Sequence, residues 1–219
     1  VNLNTYPDCD LMYMDLASRL AGELRTALTS EETAAFAVPG GTTPGPVFDE
    51  LCAADLDWAR VCVLLTDERR VPPDHARSNE RLVRERLLTS RAAVATFVRL
   101  VPEEEDMSKV IAAIEPLLPI DVMLLGMGAD MHTASLFPGS PDLEAALDRH
   151  APPVMLVEAT GDLEPRITLT GPVLSGAIST HVVIRGEDKR AALEKARHLK
   201  PAEAPIATVL GNAEIHWAP

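Results

Sequence analysis

Residues Asp121–Gly139, DVMLLGMGADMHTASLFPG, constrain the fold more than any other stretch. An apolar run, Val122–Leu125, meets two glycines, Gly126 and Gly128. It then delivers Asp130 and His132 and closes on Phe137-Pro138-Gly139. A strand apolar at consecutive positions is covered on both faces, as in parallel sheets, whose ligands bind beyond the carboxyl ends of the strands. We therefore expect a buried strand at Asp121–Leu125 with a titratable pair presented at its end.

The same pattern recurs along the chain. Further strands are expected at Thr33–Val38, Arg60–Thr66, Thr96–Val101, Val154–Ala159, His181–Arg185, Ile206–Leu210 and Glu214–Trp217. Pro165–Thr170 alternates polar and apolar residues and reads as a half-buried strand. A helix is expected over 10–29, with Leu11, Met14, Ala17, Leu20, Ala21, Leu24 and Leu28 as its apolar face. Others run from Pro44 to about Ala54, from Ser78 to about Leu88 and over Met107–Leu117. Helices also follow Ser140-Pro141-Asp142, Gly171-Pro172 and Gly186. Glu103–Asp106 is an acidic loop or a first helical turn. Strands alternating with helices give a layered α/β fold on a parallel sheet. With 219 residues, 47% of them hydrophobic, the chain suits one domain over 1–219.

A formal net charge of -13 argues against nucleic acid and anionic membranes as partners. It also requires a local positive pocket for any phosphorylated substrate. Cys9, Cys52 and Cys62 show no paired spacing, which fits core thiols in a reducing cytoplasm. No signal peptide is visible, and no run approaches the ~20 apolar residues of a membrane span.

Several strand ends carry candidate chemistry. Pro39-Gly40-Gly41-Thr42-Thr43-Pro44-Gly45 lies between a strand and a helix, where free amides and small hydroxyls can cradle an anion. It lacks the Lys-Ser/Thr of a P-loop, and a plain tight turn explains the same composition. Asp67-Glu68-Arg69-Arg70 follows another strand, and reads either as a ligand site or as a solvated face. In the opening stretch, the third glycine of a dinucleotide fingerprint is replaced by Met131, and Pro138-Gly139 cuts off the long helix that fold needs. No HxxxH or Cys/His cluster supports a metal site, and Ser135 is not in a GxSxG elbow. What remains is a histidine beside a carboxylate, suited to proton transfer near neutral pH. The other histidines, at 75, 150, 181, 198 and 216, have no comparable surroundings.

Taken together, these segments resemble the 6-phosphogluconolactonases, within the wider group sharing the glucosamine-6-phosphate isomerase/deaminase fold. The matching pieces are Gly40–Pro44, Thr66–Arg69 with Val71-Pro72 and Ser78-Asn79, Leu124–Gly128, Asp130 with His132–Gly139, Arg166–Thr170, and Gly186–Lys189. They occur in family order along nearly the whole chain. The resemblance implies a three-layer, Rossmann-like, mostly parallel sheet with helices on both faces. It implies hydrolysis of 6-phospho-D-glucono-1,5-lactone to 6-phosphogluconate in the pentose phosphate pathway, with neither metal nor organic cofactor. A small phosphorylated sugar lactone is the implied partner, and a monomer or small homo-oligomer the expected state.

In that reading His132 is the general base on water, Asp67 orients the sugar or His132, and Arg69 stabilises negative charge or holds phosphate. Gly40, Gly41, Thr42 and Thr43 cradle the phosphate, with Arg166 and Lys189 as its cations. The related deaminases carry an Asn-Glu pair shortly after the histidine, whereas this chain continues Thr133-Ala134-Ser135-Leu136-Phe137-Pro138. That favours the lactonase over an amino-sugar deaminase; a sugar-phosphate-binding homologue with weak or no activity is the other reading. Both groups usually have glycine where this chain has Met131. A methionine there must adopt a strained backbone, reroute the loop or narrow the pocket.

Overall fold

The computed structural model describes residues 2–102, 106–159 and 164–219. In chain order its elements are β1 (Asn2–Thr5), α1 (Cys9–Ser30), β2 (Ala34–Val38), α2 (Pro44–Leu51), β3 (Val61–Leu65), β4 (Asp67–Arg69), α3 (Asn79–Arg86), β5 (Thr96–Val98) and α4 (Met107–Ile114). There follow β6 (Val122–Gly126), α5 (Leu143–Leu147), β7 (Val154–Val157), β8 (Arg166–Leu169), α6 (Gly171–Gly176), β9 (Ser179–Arg185), α7 (Glu187–Ala196) and β10 (Glu214–Ala218).

The apolar runs build a seven-stranded sheet of order β1-β10-β9-β6-β2-β3-β5, and every pairing in it is parallel. All five residues of β2, Ala34–Val38, are buried, so both faces of the sheet centre are covered. From β2 the chain goes first to β3 and β5 on one side, and later to β6, β9 and β10 on the other. The strand order thus reverses between β2 and β6, and a crevice opens there at the carboxyl ends.

A second, antiparallel sheet of order β4-β8-β7 was not foreseen. The Asp67-Glu68-Arg69 charge run is strand β4, and both Asp67 and Glu68 are buried rather than solvated. Its partner β8 is buried at all four positions, because one face meets the loop after β6. Alternating polarity in Arg166–Leu169 therefore marks a polar site and not solvent.

In α1, Asp8 caps the amino end by accepting from the Leu11 amide at 2.9 Å. Its buried stripe is Met12, Leu16, Leu20 and Leu24 with neighbours. Leu11 and Met14, expected in the apolar face, are exposed at 49% and 56%. The buried face follows the expected positions from Ala17 to Leu28, but in the first turns it runs through Met12, Tyr13 and Leu16 instead.

Ile206–Leu210, expected as a strand, lies instead in and beyond a 3-10 turn at Pro205–Thr208. Pro205 offers no amide hydrogen, and the Ile206 amide donates to the Met131 carbonyl at 3.1 Å. Glu103–Glu105 lie outside the described residues, and Asp106 caps α4 through the Ser108 amide at 3.0 Å. The three cysteines are free; Cys52 is buried, while Cys9 and Cys62 are only partly so.

Candidate active site

The loop that follows β6 is set by its own hydrogen bonds. The Met131 amide donates to the Gly128 carbonyl and the Gly128 amide to the His132 carbonyl, each at 3.0 Å. Thr133 Oγ1 ties the loop back to the Gly126 carbonyl at 2.9 Å. Gly128 is required by a close approach: a Cβ there would stand 2.2 Å from His132 Nδ1 and 2.4 Å from Asp130 Oδ1. The two side chains fold over bare backbone, and Asp130 Oδ1 meets His132 Nδ1 at 2.5 Å.

The hydrogen bond from His132 holds the Asp130 carboxyl below its ordinary value, although burial works against this. Asp130 therefore stays ionised near neutral pH and accepts Nδ1–H, which leaves Nε2 as the nitrogen open to a reacting molecule. The ring packs on Phe137, with centroids 4.8 Å apart.

Met131 takes the left-handed conformation, φ 69°. For a non-glycine residue this costs roughly 1–2 kcal/mol. Of the three outcomes that the sequence left open, the strained backbone is the one found. The side chain is half-buried against the core and does not line the cavity, so it leaves the pocket's width unchanged.

Opposite the histidine lies the small sheet. Asp67 Oδ2 accepts from Ser135 Oγ at 2.6 Å, and Thr168 Oγ1 accepts the Ser135 amide at 3.1 Å. Asp67 thus anchors the loop after β6 through Ser135, while the partner of His132 is Asp130. Antiparallel pairing places Arg69 directly across from Arg166. Nε of each is buried with no hydrogen-bond partner, and Arg166 Nη1 only approaches Asp67 at 4.0 Å. Burial, and next the charge of Arg69, push the Arg166 guanidinium below its usual range. Arg69 Nη1 donates to the Arg77 carbonyl, so the unpaired donors of the two guanidiniums are their Nε atoms, which are suited to an anion.

Glu68 points away from the cavity. Its carboxylate accepts from the amides of Arg69, Asn79 and Glu80 at 2.7, 2.8 and 2.7 Å, and from Ser78 Oγ at 3.0 Å. These bonds fix the amino end of α3 to β4, yet burial still raises the Glu68 carboxyl. Asn79 then reaches the Asp67 carbonyl through Nδ2 at 2.9 Å. Its Oδ1 lies 1.9 Å from where a Gly40 Cβ would sit, so any larger residue at 40 has to push the Asn79 side chain aside. Gly41 follows at φ 92°. α2 begins with Pro44 in its first turn and has no side-chain cap, so its amino end faces the cavity uncapped.

Lys189, in the first turn of α7, is half-buried. Burial lowers its pKa, partly opposed by the Asp188 and Asp130 carboxylates.

These walls enclose a cavity of about 450 Å³. Gly40, Gly41, Thr42, Thr43, Asp67, Arg69, His132, Arg166 and Lys189, the residues expected from sequence, all line it. The sequence reading assigned no role to Asn79 or Phe137, which also line it, or to Ser135 beneath it. Asn79 is among the residues that carry the family resemblance, but only the fold brings it against Gly40.

Comparison with known proteins matches the chain to a family. A family model described as glucosamine-6-phosphate isomerases/6-phosphogluconolactonase matches residues 7–217. The chain is 39% identical to a 6-phosphogluconolactonase of Rhizobium meliloti (strain 1021), covering 100% of this chain and 99% of that one. It is 41% identical to one from Mesorhizobium japonicum, with 100% and 95% covered. The crystal structure of a 6-phosphogluconolactonase from Shewanella baltica OS155 superposes with TM-score 0.95 at 31% identity, with 100% and 98% covered.

Proposed function

Because the chain belongs to the glucosamine-6-phosphate isomerase/6-phosphogluconolactonase family, we propose that it hydrolyses 6-phospho-D-glucono-1,5-lactone to 6-phosphogluconate, a step of the pentose phosphate pathway. The observation that carries this reading is the Asp130–His132 pair on one wall of a cavity whose other wall holds unpaired arginine donors.

Asp130 fixes the Nδ1–H tautomer. His132 Nε2 takes a proton from water as its oxygen attacks C1. The carbonyl becomes an oxyanion, then collapses, and the bond from C1 to the ring oxygen breaks. Protonated His132 returns its proton to that oxygen, and the new carboxylic acid loses one to solvent. No step needs a metal or an organic cofactor.

Arg69 and Arg166 take the phosphate together with Gly41, Thr42 and Thr43; Pro44 and Pro46 carry no amide hydrogen, so α2 itself adds little. The sequence alone put Lys189 on the phosphate as well. In this proposal it serves the reacting end instead, since it lines the same cavity as His132, and it stabilises the oxyanion. The cations answer the net charge of -13, which disfavours nucleic acid as a partner. Among the described residues no helix is long and apolar enough to cross a membrane. A cytoplasmic monomer or small homo-oligomer completes the reading.

The test is lactone hydrolysis measured above the spontaneous background, with His132→Ala as control. We expect a rate above background that falls to it in the variant. Equal rates with and without the protein would remove the lactonase reading, and phosphate binding that survived would leave a sugar-phosphate-binding protein.

A further inference from the structure

A second polar cluster joins α1, β9, β10 and the turn after β1, and none of its members lines the cavity. Tyr6 Oη donates to Asp15 Oδ2 at 2.6 Å and lies 2.9 Å from His216 Nδ1. His216 Nε2 faces His181 Nδ1 at 3.0 Å. His181 Nε2 meets Glu23 Oε2 at 2.9 Å, which also accepts from Ser179 Oγ at 2.6 Å. Both histidines are buried.

The outer partners fix where the ring hydrogens sit. An ionised carboxylate only accepts, so Glu23 takes N–H from His181 Nε2. Tyr6 gives its hydrogen to Asp15, so its oxygen accepts N–H from His216 Nδ1. Two neutral rings held in this way turn bare lone pairs toward each other, His181 Nδ1 against His216 Nε2. Only a positive species between them makes that contact favourable. A proton meets the need with two partners; a metal ion uses a third. Glu214 supplies one, since a ligand atom from each of His181, His216 and Glu214 lies within 4.8 Å of the others. Outer hydrogen bonds to carboxylates, direct from His181 and through Tyr6 from His216, are also how metal-ligating histidines are oriented.

We propose that His181 Nδ1, His216 Nε2 and the Glu214 carboxylate bind a divalent transition ion of the Zn²⁺ type, with water as a fourth ligand. Two imidazoles and a carboxylate suit Zn²⁺ or Co²⁺ better than Ca²⁺ or Mg²⁺. Tetrahedral Zn–N bonds of about 2.0–2.1 Å set the nitrogens about 3.3 Å apart, so the pair opens by a few tenths of an ångström. Glu214, held by Asn4 Nδ2 at 3.4 Å and Arg19 Nη1 at 3.6 Å, is half-buried and swings inward. Asp15, Glu23 and Glu214 outweigh the one cation among these groups, Arg19. Asn4, Tyr6, Asp15 and Arg19 line a shallow surface depression on the outer side of the cluster. The ion joins β9 to β10 as a staple, independent of the reaction at His132.

The test uses the full chain stripped with a chelator, then titrated with Zn²⁺ by calorimetry and with Co²⁺ by visible absorption. His132→Ala is titrated alongside, because Asp130 and His132 are competing donors. We expect one equivalent in both proteins, a tetrahedral Co²⁺ spectrum and a higher melting temperature with Zn²⁺. Glu214→Gln leaves the buried rings in place and should weaken binding by about 10-fold or more, and His216→Gln should abolish it. If His216→Gln does not fold, Glu214→Gln decides. Uptake well under one equivalent, equal affinity in Glu214→Gln, or loss of binding in His132→Ala would each overturn the proposal and leave a proton alone between the rings.

Discussion

Asp130 Oδ1 accepts twice from His132, from the ring Nδ1 at 2.5 Å and from the backbone amide at 3.2 Å. One oxygen therefore sets both the tautomer of the ring and its direction. In Asp130→Asn the side-chain amide can turn either its oxygen or its NH₂ toward the ring, and the second choice selects the wrong tautomer. We expect kcat/KM for lactone hydrolysis to fall by about 10²-fold, and His132→Ala to lose the full general-base contribution of about 10²–10⁴-fold. A KM change at constant kcat in Asp130→Asn would refute an orienting role.

The same bond makes a pH prediction. The Asp130 carboxyl lies below its ordinary value of 3.8 because His132 donates to it. A depressed carboxyl stabilises the fold fully above the unfolded value, and loses that contribution as pH falls through the folded one. The stability gap between wild type and Asp130→Asn should be constant above about pH 5 and close below 3.8. Chemical denaturation across pH 2–6 measures it, and a gap that widens in acid would reverse the sign.

Met131→Gly relieves a positive φ but removes a half-buried side chain packed on the core. Strain relief of roughly 1–2 kcal/mol opposes a similar loss of burial plus the backbone entropy of glycine. The carbonyl at 131 still accepts from Ile206. We expect stability within about 1 kcal/mol of wild type and activity nearly unchanged. A many-fold gain in kcat would mean that Met131 restrains the histidine.

Gly40 and Asn79 illustrate what the sequence carries and what it does not. Strand, glycine turn and helix start were legible at 34–51 because each has a local signature in apolar run, glycine pair and proline position. The parallel sheet was legible for the same reason, in Val61–Leu65 and Val122–Leu125. The β4-β8-β7 sheet was hidden because Asp67–Arg69 looks like a solvated charge run until Arg166–Leu169, about a hundred residues away, pairs with it. Asn79 against Gly40 is a contact of the same long-range kind. It predicts non-additivity. Gly40→Ala alone should displace Asn79 from the Asp67 carbonyl and raise KM. Adding Asn79→Ala removes the clash, so the double variant should be less impaired than the two single effects combined. Strict additivity of the free energies would show that the contact does not govern the site.

Arg69 and Arg166 repel across β4 and β8 until an anion reaches them. Phosphate that binds the folded state alone raises stability by RT ln(1 + [L]/Kd), about 1.4 kcal/mol at tenfold excess over Kd. At fixed ionic strength, wild type should therefore melt higher in phosphate than in chloride. Arg166→Gln removes one of two like charges whose Nε is buried and unpaired. Its own stability in chloride should be close to wild type, since relieved repulsion offsets the weakened Asp67 contact at 4.0 Å. Its response to phosphate should vanish, and KM for the lactone should rise with kcat largely kept. If Arg166→Gln kept the full phosphate shift, the anion would lie elsewhere, and Lys189→Ala would be the next variant to melt in the same two salts.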